Sequence, residues 1–245
     1  MRRCSRDGLD WYRAKLPGAT ACFTTRRGGS SIDPYDSLNL GTMTGDRPGS
    51  VLENRKRAAA ALGLEGDRMK VATQVHGSRI VRHLDPSVAG SYLNPEADQP
   101  EADGHMTSLP GVPLLVLVAD CLPIAVKGPG GLAMLHCGWR GLAGTLIEKA
   151  VSMTGGGAAA IGPGIGSCCF EVGPDVAGSF PDVGEGVFAD GRCDLPEIAR
   201  RKLRSAGVEA IEMSGVCTFC DQRDFFSYRR DGGLTGRQAG IAWVD

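Results

Sequence analysis

The chain of 245 residues carries 27 basic against 28 acidic side chains, a formal net charge of −1, and 42% of its residues are hydrophobic. That balance excludes a nucleic-acid partner held by counterion release, and no apolar stretch approaches the ~20 residues of a membrane span. Glycine is in excess, at 36 residues, where a usage of about 7% would give roughly half as many; the glycines follow no period, which excludes collagen and implies many tight turns.

Asp46-Arg47-Pro48 opens a helix that runs to about Leu62, with Gly63 as its stop. Val112 to Ala119 is a continuous apolar run, the pattern of a strand buried on both faces. Ile124-Ala125-Val126 is a second strand, Gly128-Pro129-Gly130-Gly131 a turn, and Leu132 to Leu135 the returning strand. Leu142, Ala143, Leu146, Ile147, Ala150 and Val151 recur at helical spacing and predict one amphipathic helix after Gly141. Asp194-Leu195-Pro196-Glu197 opens a last helix that ends at Gly207. In the tail, Phe225-Phe226-Ser227-Tyr228 reads as a strand, Gly232-Gly233 as a turn and Ile241 to Val244 as a closing strand. Hairpins interleaved with helices predict a mixed α/β fold, a layered sandwich of mixed β-sheets flanked by helices, in one domain over residues 1–245. A doubly wound parallel sheet does not fit this order.

Arg2, Arg3 and Arg6 are followed by no apolar segment of a secretory signal, and the nine cysteines are an odd number. Reduced thiols and a cytoplasmic location are therefore expected. Two of the four histidines sit where chemistry is often placed. His136 ends the Leu132 to Leu135 strand, and His76 lies where a short strand, Thr73-Gln74-Val75, meets Gly77. Cys121 closes the buried strand, and the hairpin that follows can carry it back beside His136. Two imidazoles and one thiolate make a candidate divalent-metal set, three protein ligands with a fourth position open, as in catalytic zinc sites. Taken singly, Cys121 reads more commonly as a small buried hydrophobe and a histidine beside glycine as a surface or capping residue.

Other motifs are less pointed. Cys217-Thr218-Phe219-Cys220 is one Cys-x-x-Cys without a second, and Cys168-Cys169 are adjacent, which does not suit a relaxed disulfide. Gly162-Pro163-Gly164-Ile165-Gly166 lacks the spacing of a dinucleotide fingerprint, and no phosphate-binding Gly-x4-Gly-Lys loop exists. Arginines in glycine-flanked segments can grip a phosphate or carboxylate with two hydrogen bonds. Arg26, Arg140 and Arg229 are candidate substrate contacts on this basis, with surface ion pairing as the plainer reading of each, and Asn39 of the polar Ser37-Leu38-Asn39-Leu40-Gly41 cluster is a further candidate.

The chain resembles the laccase-domain family, also called YfiH-type. The matching strings are Thr25-Arg26-Arg27-Gly28-Gly29, Tyr35-Asp36-Ser37-Leu38-Asn39-Leu40-Gly41, Gly45-Asp46-Arg47-Pro48, Gln74-Val75-His76-Gly77 and Glu101-Ala102-Asp103-Gly104. They continue through Ala119-Asp120-Cys121-Leu122-Pro123, His136-Cys137-Gly138-Trp139-Arg140-Gly141, Gly162 to Gly173 and Phe226-Ser227-Tyr228-Arg229-Arg230-Asp231. Each is weak alone; their order along residues 25 to 231 is specific. Phe170, Cys137 and Ser30 stand where Tyr, Ala and Val are usual in such proteins.

The resemblance implies zinc held by His76, Cys121 and His136, these three being the catalytic residues. It also implies phosphorolysis of purine nucleosides (adenosine, inosine, guanosine, methylthioadenosine) and adenosine deamination, so the expected partners are a purine nucleoside and phosphate. Two further activities are described for such proteins: amide hydrolysis of a muramyl peptide in peptidoglycan editing, and copper-dependent phenol oxidation. A non-enzymatic redox or binding protein using the remaining cysteines is the alternative outside catalysis. Four histidines are few for a multi-copper cluster, so copper ranks below zinc.

Overall fold

The computed structural model describes residues 1–94 and 96–245. Three strands open the chain: β1 (Arg2–Arg6), β2 (Leu9–Leu16) and β3 (Ala19–Thr24); helix α1 (Pro48–Leu62) follows after a long loop. Next come β4 (Ile80–His83), β5 (Gly104–Thr107), β6 (Leu114–Val118), β7 (Leu122–Gly128) and β8 (Gly131–Cys137), then the helices α2 (Trp139–Ala143) and α3 (Leu146–Thr154). The remainder is β9 (Ala158–Ile161), α4 (Pro174–Gly178), β10 (Phe188–Ala189), β11 (Arg192–Cys193), α5 (Leu195–Ser205), β12 (Ala210–Met213) and β13 (Gln238–Val244).

One sheet is antiparallel throughout, in the order β1-β2-β3-β13-β6. The second, β12-β9-β7-β8-β5-β4, is mixed, with parallel pairs at both ends and antiparallel pairs inside. β10 and β11 form a small ribbon. The alternation of side chains along strands assigns the layers. Leu114, Val116 and Val118 of β6 pack between the sheets against Ala125, Leu132 and Met134, while Leu115 turns outward to Ala58 and Ala59 of α1. On the far side, Ile124, Val126, Ala133 and Leu135 meet Leu146, Ile147 and Ala150 of α3 and Ile198, Ala199 and Leu203 of α5. The result is four layers, helix, sheet, sheet, helix, with alanines at the inner face that let the sheets approach.

The expected mixed α/β sandwich is therefore present, with local differences. α1 has the expected span, and Gly63 ends it at φ 70°, donating its N–H to Ala60 and Ala59 carbonyls. Asp194 caps α5 by accepting the Glu197 N–H at 2.9 Å. The single helix expected after Gly141 is two, because the chain breaks at Gly144 and Thr145. Phe225 to Tyr228 is not a strand. Phe225 and Phe226 are fully buried, and the Phe226 backbone is held by the Gln238 side chain, which accepts its N–H and donates to its carbonyl. Burial alone gives that segment its apolar character.

The site lies where the chain passes from one sheet to the other. β6 ends the first sheet at Val118, and β7 enters the second at Leu122. Ala119, Asp120 and Cys121 make the crossover.

Candidate functional site

Three segments converge at that crossover. Residues 70–74 run alongside the edge strand β6. Lys70 N–H donates to the Pro113 carbonyl and Leu115 N–H to the Lys70 carbonyl. Gln74 then clamps β6 by both ends of its amide, donating to the Leu117 carbonyl and accepting the Leu117 N–H, each at 2.7 Å. This clamp fixes the loop that presents His76. The β7–β8 hairpin pairs Leu122 with Cys137 and Pro123 with His136, so Cys121 stands one step beyond the terminal pair, next to the strand end that carries His136.

The side chains of His76, Cys121 and His136 meet there, their ligand atoms within 4.8 Å of one another. His76 Nε2 is 3.9 Å from Cys121 Sγ, and the two imidazoles stand edge to face with centroids 4.8 Å apart. His136 is buried, while His76 faces solvent. Gly138 leaves the room: a Cβ there would lie 3.0 Å from Cys121 Sγ and 3.1 Å from His76 Cδ2.

Asp103 organises the set. Its carboxylate is fully buried and accepts the backbone N–H groups of Val75, His76 and Gly77 and the His136 Nδ1–H, the last at 2.8 Å. Burial alone would raise its pKa, but His136 and the backbone donors outweigh it and hold the carboxyl below its ordinary value. With Nδ1 engaged, the other ring nitrogen of His136 is left for Cys121. Cys121 and His136 form a coupled pair. Burial opposes charge on both, yet their mutual attraction prevails and favours thiolate with imidazolium when no cation is bound.

Two residues here hold a left-handed backbone without being glycine, His76 at φ 59° and Asp120 at φ 85°. Each such conformation costs about 1–3 kcal/mol and persists only where surroundings enforce it. Asp103 enforces the first. Asp120 is held by the Thr218 hydroxyl and the Arg229 N–H, each donating to its carboxylate at 2.7 Å, and by Ile165 N–H on its carbonyl.

The three side chains open into a cavity of about 520 Å³ that Trp139, Arg140, Phe170, Tyr228, Arg229 and Arg237 also line. Arg140 stacks on Trp139 with its Cζ 4.3 Å from the ring centroid, and Arg229 lies over Phe170 at 5.2 Å. The guanidinium groups of Arg229 and Arg237 donate to the carbonyls of Glu171, Thr235 and Gly236. Arg55, a buried residue that also lines the cavity, donates to the carbonyls of Leu40 and Tyr92. These partners are dipoles and leave the positive charge uncompensated, which suits an anion.

Arg26 and Asn39 do not line the cavity. Arg26 lies over the Phe226 ring, 4.5 Å from its centroid, and bonds the carbonyls of Asp36 and Gln222. Asn39 is fully buried and accepts the N–H groups of Gly41 and Arg237. It positions two wall segments and touches nothing in the cavity. Cys137 points away from His136 into the helix-side core and is inert packing. Arg55, Asp103, Trp139 and Arg237 are cavity and site groups that sequence reasoning did not single out. The tryptophan directly follows the His136-Cys137-Gly138 turn, and that adjacency was the available signal.

A family model described as multi-copper polyphenol oxidoreductase laccase matches residues 20–245. The chain is 37% identical over 247 residues to the protein named purine nucleoside phosphorylase YfiH of Escherichia coli (strain K12), covering 96% of each. It is 39% identical over 244 residues to a purine nucleoside phosphorylase of Deinococcus radiodurans, covering 94% of this chain and 91% of that one. The crystal structure of YlmD from Geobacillus stearothermophilus superposes with a TM-score of 0.89 at 34% identity, over 98% of this chain and 97% of that chain.

Proposed function

The chain belongs to the multi-copper polyphenol oxidoreductase laccase family, and we propose that its activity is that of a purine nucleoside phosphorylase, cleaving the bond between ribose and purine with inorganic phosphate. The observation that carries this reading is the cavity itself. It joins a His-Cys-His set to arginines whose partners are carbonyls, in a chain whose relatives bear that enzyme's name.

The residues fit a metal. Two imidazole nitrogens and a thiolate sulfur are close enough to share one ion. Asp103 fixes the tautomer of His136, the outer carboxylate usual behind a metal-bound histidine. The borderline-soft N, N, S donor set suits zinc. Bound there, zinc would supply Lewis acidity on the floor of the cavity. His83 and His105 stack on each other in β4 and β5, apart from this set, so the chain has no further imidazole here for a cluster of copper ions.

The chain's own groups supply the rest of the reading. Arg140 and Arg229 bind the phosphate dianion, and Arg237 adds positive charge on the same wall. Trp139, Phe170 and Tyr228 offer ring faces for the purine. The cavity encloses the nucleoside and limits competition by water. Adenosine deamination belongs to the same proposal, since it needs the same purine pocket and no phosphate.

The test is release of hypoxanthine from inosine with and without phosphate, alongside ammonia release from adenosine. Phosphate-dependent release is expected. Release that ignores phosphate, or no release from any purine nucleoside, rejects the assignment; ammonia without phosphorolysis would retain only the deaminase half. Phenol oxidation by the copper-loaded protein, with no nucleoside turnover, would return the family's oxidase description to first place.

A further inference from the structure

Next in sequence to Phe170, which lines the cavity, four thiols converge. Cys168 and Cys169 sit on the turn after Gly166, and Cys217 and Cys220 on the loop that leads to Arg229. Their sulfurs lie within 4.8 Å of one another, and all four cysteines are free. Cys220 Sγ is 3.5 Å from Cys168 Sγ and 3.3 Å from Cys169 Sγ. The two loops are joined by backbone as well. Thr218 N–H donates to the Gly164 carbonyl at 3.0 Å, and Gly166 N–H points at Cys217 Sγ at 3.2 Å.

We propose that Cys168, Cys169, Cys217 and Cys220 form a second metal site, a closed tetrathiolate that takes one zinc ion and serves structure. A tetrahedron of sulfurs each about 2.3 Å from zinc has edges of roughly 3.8 Å. The 3.3 and 3.5 Å separations and the 4.8 Å outer bound of the set bracket that length. Four sulfurs without a nitrogen or oxygen donor select a soft or borderline ion, and four protein ligands leave no position for substrate. That is the opposite design from the three-ligand set beside it.

The surroundings suit the charge. Four thiolates around a dication leave two negative charges. The Gly166 N–H is a direct donor to Cys217 Sγ, and the Arg230 guanidinium, itself paired with Asp231, holds the loop by donating to the carbonyls of Thr218 and Phe219, the residues between Cys217 and Cys220, at 2.8 and 3.2 Å. Pairwise oxidation fits less well, because Cys220 Sγ is within 3.5 Å of the sulfurs of two adjacent cysteines and all four sulfurs lie within 4.8 Å of one another. Each thiol that binds gives up its proton to solvent, so loading releases up to four protons.

The consequence reaches the cavity. Cys169 is followed by Phe170, and Thr218 holds Asp120, the residue before Cys121. A metal here would staple the wall that carries Phe170 and Arg229 to the crossover that carries Cys121.

The experiment measures zinc per chain on reduced, anaerobically purified protein. Four forms are compared: wild type, the double variant His76→Ala/Cys121→Ser, and that variant with Cys220→Ser or Cys168→Ser added. The double variant is expected to keep one zinc, with a pure sulfur shell by X-ray absorption, and either added serine to release most of it. Should the added serines prevent folding, the double variant decides alone. Zinc absent from it, with its four thiols free or disulfide-bonded, overturns the proposal, as does a shell containing nitrogen.

Discussion

Variants of Arg229 and Asp103 separate the proposed anion binding from the proposed metal binding. Arg229→Ala leaves the backbone N–H that supports Asp120 and removes only the guanidinium over Phe170. A hydrogen bond to a charged group is worth about 1.5–3 kcal/mol, so phosphate-dependent cleavage is expected to fall roughly 10- to 150-fold. Steady-state kinetics at varied phosphate should show it, with adenosine deamination losing much less; equal losses would make Arg229 a nucleoside contact. Asp103→Asn keeps the shape but removes the charge behind His136, and its NH2 must face either the Val75 and Gly77 N–H groups or the His76 N–H and His136 Nδ1. Loss of such an outer carboxylate costs 10–100-fold in metal affinity. Zinc competition with a chromogenic chelator should report a weakening of that order, and unchanged affinity would remove Asp103 from the site. Cys121 and His136 were legible because they flank the two ends of the β7–β8 hairpin, and His76 because it precedes Gly77, although Thr73 to Val75, read as a strand, makes only an isolated bridge from Thr73 to Glu101. Asp103 was not, since a carboxylate that gathers three backbone donors from a loop 26 to 28 residues earlier leaves no local pattern.

Elements were readable where local chemistry and burial agree. The β7–β8 hairpin announces itself by Gly128-Pro129-Gly130-Gly131 between apolar runs, and α5 by Asp194 and Pro196 at its start. β3 is buried along its whole length, yet its sequence Ala-Thr-Ala-Cys-Phe-Thr has no Val or Ile, and its small side chains make only a weak strand pattern. Its strand character comes from pairing with β2 and β13, which sequence patterning does not display. The helix after Gly141 splits for a similar reason. Leu142 on α2 and Leu146 on α3 are both buried in the same core, so the apolar spacing runs straight across a backbone break. The caps differ in a testable way. Asp194→Ala removes the only side-chain cap on α5 and should cost about 1 kcal/mol. For a chain of this length that lowers Tm by about 2–4 °C, measurable by calorimetry. α1 has Arg47 at its N-cap with no side-chain bond, so Arg47→Ala should leave Tm within 1 °C. A drop in Arg47→Ala as large as in Asp194→Ala would show that capping does not distinguish the two helices.

At the scale of the whole molecule, stability should depend on pH through a pair remote from the cavity. His105 is 1% exposed on β5, and its Nδ1 is 3.0 Å from His83 Nε2 on the parallel neighbour β4. Burial, then His83, then the Lys70 ammonium bring His105 down to about 3; burial and Lys70 bring His83 down to about 4. Lys70 is itself held in place by donating to the Val88 carbonyl. Both imidazoles are thus neutral in the folded chain at neutral pH, one donating to the other. In the unfolded chain each protonates near 6.5. As pH falls below that value the unfolded state takes up protons first, so their contribution is complete above pH 6.5 and shrinks as the medium approaches pH 4. His105 alone should remove on the order of 2 kcal/mol by pH 5, about 4–8 °C in Tm. The depressed carboxylates act in the same direction but lower down. Asp103 and Asp224 lose their contribution only below about pH 4, as pH falls from their unfolded value through their folded one. The measurement is Tm from pH 7 to pH 5 for wild type, His105→Gln and His83→Gln/His105→Gln. Titrations at the candidate metal site are common to all three and cancel in the differences. The slope should decrease in the single variant and flatten further in the double one, whatever their absolute stabilities. Equal slopes in all three would mean that the pair carries a proton in the folded state and that burial does not hold it neutral.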